Sequence, residues 1–428
     1  MNKPPLPDTR RIAPIILIVS LFFLWGMANN LNDPLIKHFK KLFTLTDFGS
    51  SLVQQAFYLG YFLLAIPAAL FMQRFGYKAA VILGLCIYGV GALLFYPAAQ
   101  KESYGFFLAA LFIIAGGLAF LETSANPMVA TLGPPEDSER RLNLAQSFNP
   151  LGSIAGVLIG RTFILSGLEY TPRQIQAMTP QAIETWRASE AAAVEMPYIS
   201  IGIIVLAWAV LIAFARFPES TTSHEGAEGI GNLGRFRELL RRSRYLAGVF
   251  AQFCYVGAQV GIWSFTIRYA QAELPGTSEK TAADLLTVAL VLFMIGRFTG
   301  TALMRWIDAS RLLISFAAID VILCAVATFA GGALGLGALT LASFFMSIMF
   351  PTIFAGSIRG LGDLTKLGSS LIVMAIIGGA VLTALMGELS DITGHIRLAM
   401  LVPLGCFAVV AAFAAAMKSA REKERTPE

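Results

Sequence analysis

Three histidines and four cysteines are spread over 428 residues, and only 14% of the chain is charged. A soluble domain carries roughly 25% charged residues, so an ordinary aqueous surface cannot be built from this composition. His38, His224 and His395 fall in three separate loops or span ends, and that spacing offers neither a catalytic triad nor a metal pair. Cys86, Cys254, Cys324 and Cys406 sit in different apolar runs with no CxxC, so a disulfide framework and a zinc site are both unexpected. Enzymatic chemistry has few groups to start from, and the expectation is a protein that is not an enzyme and holds no cofactor or metal.

Apolar residues are what the chain has in excess: 56% are hydrophobic and the mean hydropathy is +0.68. A helix needs about 20 apolar residues to cross a bilayer. Twelve runs meet that length, at 12-36, 50-73, 79-99, 105-131, 143-167, 197-215, 245-271, 282-305, 311-330, 334-360, 366-388 and 395-417. They are too long for barrel strands, and only a helix satisfies its own backbone in lipid without closing a sheet. The predicted fold is an all-α polytopic membrane protein of twelve transmembrane helices.

A net charge of +5 would suit nucleic acid, but the Lys and Arg residues follow membrane topology instead. With the N-terminus inside, 21 of them fall on the cytoplasmic side and eight on the other, while Arg161, Arg268 and Arg297 lie within spans. The positive-inside rule then puts both termini in the cytoplasm of a bacterial-type inner membrane. The expected surroundings are lipid, with no nucleic-acid partner and a monomeric state. Arg10-Arg11 precede a full span with no small-residue cleavage site, and read as an inside anchor rather than a twin-arginine signal.

Pro218 to Arg244 is the longest polar cytoplasmic stretch, and it divides the chain near its middle. The predicted organisation is a six-helix bundle at 1-217, a linker at 218-244, and a second bundle with its tail at 245-428. Parallel halves of this kind are built from three-helix units. Weak internal repetition agrees: short basic links follow spans two and eight, and Asn126-Pro127 in span four answers Phe350-Pro351 in span ten. The polar segment 168-196 reads as a short extracytoplasmic helix hairpin capping the surface.

Polar residues inside the spans need a reason. Leu21 to Pro34 reads LFFLWGMANNLNDP, and on a helix Gly26, Asn29, Asn30 and Asp33 fall at i, i+3, i+4 and i+7, on one face. A carboxylate in a bilayer costs about 2.5 to 3.5 kcal/mol on insertion scales, so such groups face a water-filled cavity and mark a substrate or ion path. Glu122 in span four is a second such group, with Asn126 one turn later and then Pro127, which frees a mid-helix carbonyl that must find another partner. Span five opens NLAQSFNP, spacing Asn143, Gln146 and Asn149 by three. Span seven brings Gln252, Tyr255, Gln259 and Trp263 near one face. Amides that donate and accept, with an aromatic plane to cover a pyranose ring, suit a neutral sugar; amides also hold helices together. Asp320 in span nine has no polar companion at helical spacing, and is read as a structural pair or a surface-facing residue.

The loop Gln73-Arg74-Phe75-Gly76-Tyr77-Lys78 resembles the Gly-x-x-x-Asp-Arg-x-Gly-Arg-Arg loop of the major facilitator superfamily, with Gln73 and Tyr77 replacing charges. That resemblance makes Arg74 a gating candidate, with Arg297 in Gly296-Arg297-Phe298-Thr299-Gly300 taking part of the role. FFLWGMANNLNDPLI, QAFYLGYFLLAIPA, GLAFLETSANPM, RLNLAQSFNPLG, AQFCYVGAQVGIWSF, SIMFPTIF and LGSSLIVMAIIGG carry a closer one, to the fucose-galactose-glucose/proton symporter family. It implies a major facilitator fold of two pseudo-symmetric six-helix bundles. It also implies import of a neutral monosaccharide, L-fucose or a related hexose, with a proton as coupling ion; a sugar uniporter is the alternative. Asp33 and Glu122 would then be the proton-coupling acids. Asn30, Asn126, Gln146, Asn149, Gln259 and Trp263 would line the sugar cavity. In span ten this chain has Ser347-Ile348-Met349-Phe350-Pro351 where the fucose-transporting pattern resembles Ser-Ile-Gln-Tyr-Pro, which bears on the sugar it selects.

Overall fold

A computed structural model of the chain describes residues 9–43, 45, 47–131, 134–159, 162–163, 178–215, 233–277 and 279–425. Its regular structure is helical throughout the described residues. Nine of the described helices are long and apolar enough to cross a membrane, and one of them, Leu52–Gln100, has 49 residues. At 1.5 Å per residue that is more than twice the roughly 30 Å hydrocarbon thickness. It therefore holds spans two and three. Helix α1 (Thr9–Leu42) is span one, and α5 (Ser138–Gln146) with α6 (Asn149–Ile159) is span five, so the twelve expected spans are all present as helix.

The join between spans two and three is tighter than expected. Helix α2 (Asp47–Leu93) runs through both, and the chain reverses at Gly76 alone, at φ 82° and ψ 171°. Side chains rarely tolerate that φ, which explains a glycine at this turn. Helix α3 (Phe95–Gln100) and α4 (Tyr104–Thr131) follow. The predicted hairpin at 168-196 appears, where described, as a single helix α7 (Pro180–Ala193), capped by the Thr179 side chain and leading into α8 (Glu195–Phe214). Residues 164–177 lie outside the described residues.

The chain clusters into two compact units. The first comprises residues 1–64, 75–122 and 148–224. Inside it α1 and α6 meet backbone to backbone: a Cβ on Gly26 would lie 2.1 Å from Asn149 O, one on Gly152 1.9 Å from Phe23 O, and one on Gly156 2.5 Å from Met27 O. Only glycine fits at those three crossings. Lys78 Nζ donates to Ala213 O and Ala215 O at 2.8 Å each, satisfying carbonyls at the end of α8. Phe95 stacks on Tyr198 with ring centroids 3.6 Å apart, and Trp208 Nε1 donates to Ser20 Oγ at 2.6 Å, tying α8 to α3 and α1. The His38 ring reaches α7, with Nδ1 3.4 Å from Glu190 Oε2 and both residues buried.

The second unit comprises residues 65–74, 123–147 and 225–428. After α9 (Leu233–Leu240), helix α10 (Ser243–Glu273) runs through its middle. Around it stand α11 (Glu279–Leu303), α12 (Ala309–Phe329), α13 (Gly332–Phe345), α14 (Met349–Ile358), α15 (Thr365–Met374), α16 (Gly378–Thr393) and α17 (Leu401–Arg425). Two spans change winding midway. Met346–Ile348 is a 3-10 turn between α13 and α14, and Ala375–Ile377 another between α15 and α16. Tyr245 and Tyr269 donate from α10 to Gly368 O and Ala327 O at 2.5 and 2.6 Å.

Burial runs opposite to a soluble protein. Glu122, Asn126, Asn143, Gln146, Arg297 and Asp320 are buried, whereas Ile16, Leu63, Phe214, Val288, Ile322 and Phe329 are exposed. Large apolar side chains facing outward around a polar interior suit a lipid solvent.

Candidate functional site

Proline explains the geometry of the buried polar residues. A proline has no N–H, so the carbonyl four residues earlier loses its helical donor. For Pro127 that carbonyl is Thr123 O, and the Ser369 hydroxyl on α15 donates to it at 3.0 Å. The sequence asked for such a partner, and a neighbouring helix supplies it. For Pro351 the freed carbonyl is Ser347 O, and Arg297 Nε on α11 donates to it at 2.6 Å. Pro150 frees Gln146 O in the same way, and Arg297 Nη1 lies 3.1 Å from it and 3.4 Å from Gln146 Oε1. One guanidinium thus serves two carbonyls that two prolines left bare.

Arg297 is 3% exposed and, among the described residues, forms no ion pair with a carboxylate. Its charge is spread over the two carbonyls, the Gln146 amide, the Phe293 ring at 4.6 Å from the guanidinium carbon, and the Tyr255 hydroxyl beside it. Gln146 continues the network: Nε2 donates to Asn126 Oδ1 at 2.9 Å, while Asn126 Nδ2 is buried without a partner. Asn143, one turn earlier, donates through Nδ2 to Glu139 O at 2.8 Å and to Thr352 Oγ1 at 3.0 Å. Asn126, Gln146 and Arg297 therefore come together, and a donor is left over to receive a ligand or water.

The other predicted residues are distributed differently. Glu122, in the first unit, is 3% exposed at mid-span of α4, with the Tyr61 hydroxyl beside its carboxyl and no ion pair among the described residues. Tyr61 was not singled out from sequence, although its place in the apolar run QAFYLGYF made it the deepest hydroxyl there. Asn149 is half-buried at the start of α6, where its carbonyl meets the Gly26 crossing. Gln259 is half-buried on α10; one turn on, Trp263 donates through Nε1 to Ser343 Oγ at 3.1 Å and sets its edge on Phe293 at 5.1 Å. Arg74 is exposed at the Gly76 turn, in surroundings unlike those of Arg297. Asn30 and Asp33 lie on helical backbone of α1, but their side chains lie outside the described residues.

Asp320 faces neither the surface nor a pairing cation. It is 0% exposed, and neither carboxyl oxygen has a hydrogen-bond partner. Tyr255 and Cys324 are close enough for charge to be felt between them and Asp320. Sequence spacing missed this because the companions come from another helix. It missed equally that the Cys254 and Cys406 thiols are hydrogen-bonded neighbours, with Cys324 nearby. Among the described residues no set of three or more His, Cys, Asp or Glu is placed to hold a metal.

Polar and ionisable groups turned inward from lipid-facing helices, at mid-span, define a class: multi-pass membrane transporters. The chain belongs to the Major Facilitator Superfamily, which it matches over residues 18–363. It is 47% identical to the L-fucose-proton symporter of Escherichia coli (strain K12) over 405 residues, covering 94% of this chain and 92% of that protein. It is 38% identical to the L-fucose-proton symporter of Haemophilus influenzae, covering 96% and 98%. It is 35% identical to a glucose/galactose transporter of Brucella abortus, covering 91% and 90%. Among solved structures, the superfamily transporter FucP in its outward conformation superposes with a TM-score of 0.88 at 46% identity, covering 94% of this chain and 98% of that one. A bacterial ferroportin homologue superposes at 0.69 with 12% identity, which speaks for the fold alone.

Proposed function

We propose that this chain imports a neutral monosaccharide, L-fucose or a related hexose, together with a proton, by alternating access. The observation that carries the reading is Glu122: a carboxyl buried at mid-span, beside a hydroxyl, with no ion pair among the described residues. As a neutral acid it crosses an occluded state at low cost, whereas its charged form resists occlusion by several kcal/mol. Sugar and proton therefore cross together. A membrane potential supplies about 2.3 kcal/mol per charge per 100 mV, and tenfold accumulation needs about 1.4 kcal/mol. One proton is enough.

In this reading Asp33 shares the proton with Glu122, and Asn30, Asn126, Gln146, Asn149, Gln259 and Trp263 line the sugar path. Arg297 holds the gate closed through Gln146 O and Ser347 O, and Arg74 acts at the turn between spans two and three. The carrier works as two halves, 1-217 and 245-428, joined by the linker 218-244. It sits as a monomer in the inner membrane with both termini in the cytoplasm. The relatives named for L-fucose favour that sugar, while Met349 and Phe350 and the glucose/galactose relatives keep a second hexose in view. The test is external alkalinisation of proteoliposomes on adding L-fucose, D-galactose, D-glucose, D-mannose or D-arabinose in turn. Alkalinisation with one sugar establishes symport and names the substrate; sugar flux without proton movement refutes symport in favour of a uniporter.

A further inference from the structure

We infer that Asp320 is a second proton-binding site of this carrier, linked to Arg297 through Tyr255. The inference rests on the symport reading and adds to it a group in the second half of the chain. Three observations carry it. Asp320 is 0% exposed with both carboxyl oxygens unpartnered, in a helix whose other buried residues are apolar or make local hydroxyl bonds. Arg297 is an equally buried cation whose partners are all neutral. Tyr255 neighbours both, and one turn before it Gln252 is buried with both amide atoms unpartnered.

Buried polar groups are paired in the great majority of cases, so three unpaired carboxyl and amide oxygens and nitrogens at one place call for an occupant. The groups facing Asp320 decide which. Tyr255 and Cys254 come from α10, Arg297 from α11, Cys324 from its own helix α12, and Cys406 from α17. None is a second carboxylate, so a metal cation lacks the oxygen-rich shell it needs. A proton needs only the one carboxyl.

Arg297 supplies the linkage. While it is held on Gln146 O and Ser347 O, its charge is satisfied, and Asp320 rests more cheaply as the neutral acid than as a lone buried charge. Alternating access separates Arg297 from Gln146, which leaves the guanidinium short of two acceptors. The nearest carboxyl beyond Tyr255 then gains by ionising, because opposite charges attract strongly where water is scarce. The carboxyl binds one proton with the Arg297–Gln146 contact closed and releases that proton with it open; no other bond changes. The stripe Gln252, Tyr255, Gln259 on α10 gives the proton a polar way in, since Gln259 is only half-buried.

The experiment uses the full chain in proteoliposomes with L-fucose as probe. The sugar gradient that just halts net flux is measured against an imposed potential and pH difference, giving protons moved per sugar. The parent is expected to move one more proton per sugar than Asp320→Asn. At 100 mV, interior negative, the variant's accumulation then falls about fifty-fold. Asp320→Glu is expected to restore the parent's count. Equal counts in parent and Asp320→Asn overturn the inference and leave symport standing. No proton movement in the parent overturns symport and the inference with it. A variant that loses fucose exchange along with thermal stability, and is not restored by Glu, assigns Asp320 a structural role and also overturns the inference.

Discussion

Replacing Gly152 by Ala tests whether α1 is positioned by its close approach to α6. The added Cβ would lie 1.9 Å from Phe23 O and 3.0 Å from Met27 N, both backbone atoms that no rotamer change can move aside. Real contacts of this kind do not fall below 3.0 Å, so α1 must retreat by roughly an ångström at this turn. Overpacking of this sort costs about 1–3 kcal/mol. The functional loss is expected to be larger than the stability loss, because the next turn of α1 carries Asn29, Asn30 and Asp33. A displacement near 1 Å in a positioned site can cost about a hundredfold in rate. The assay is the initial rate of L-fucose uptake into energised proteoliposomes, paired with the unfolding temperature in detergent. Gly105→Ala is the control, since nothing lies within 4 Å of its would-be Cβ. If Gly152→Ala matches both the parent and the control in rate and in unfolding temperature, the reasoning about the α1–α6 crossing is wrong.

Glu122→Gln keeps the shape of the side chain and removes its proton, so fucose accumulation against a gradient is expected to vanish while fucose exchange persists; accumulation at the parent level would remove Glu122 from the coupling role. Asp33→Asn is expected to flatten the pH dependence of uptake, and an uptake profile identical to the parent's from acid to neutral pH would place Asp33 at the headgroups instead. Arg297→Lys keeps the charge but replaces a planar fork with a point donor, so it cannot span Gln146 O and Ser347 O together. Uptake is expected to drop by at least tenfold with fucose binding retained, as read by isothermal titration; full activity in the lysine variant would show that charge alone suffices.

The spans were legible in the sequence because lipid imposes length and hydropathy on every crossing helix, and all twelve runs are helical. The proline sites were half legible. Asn126-Pro127, Asn149-Pro150 and Phe350-Pro351 announced freed carbonyls, but nothing local said that Arg297 would take two of them, since that depends on residues 151 and 50 positions away. Periodicity finds neighbours on one helix, as it did for Gln146 and Asn149. It is blind to a residue such as Asp320, whose companions Tyr255 and Arg297 come from other helices. Three glycines at the α1–α6 crossing went unremarked for the same reason. Their role is defined by the backbone opposite them, which a single helix does not display.

The 3-10 turns at Met346–Ile348 and Ala375–Ile377 give spans ten and eleven an adjustable length. A residue advances about 2.0 Å in the 3-10 winding and 1.5 Å in the α winding. Rewinding a three-residue turn therefore shortens its rod by about 1.5 Å, and lends the rod a stroke along its own axis with no side chain leaving its helix. Arg297 holds Ser347 O, within the first of these turns. Whatever loosens that grip also frees the turn to rewind, so a sideways parting of helices is geared to an endwise pull on the segments above and below.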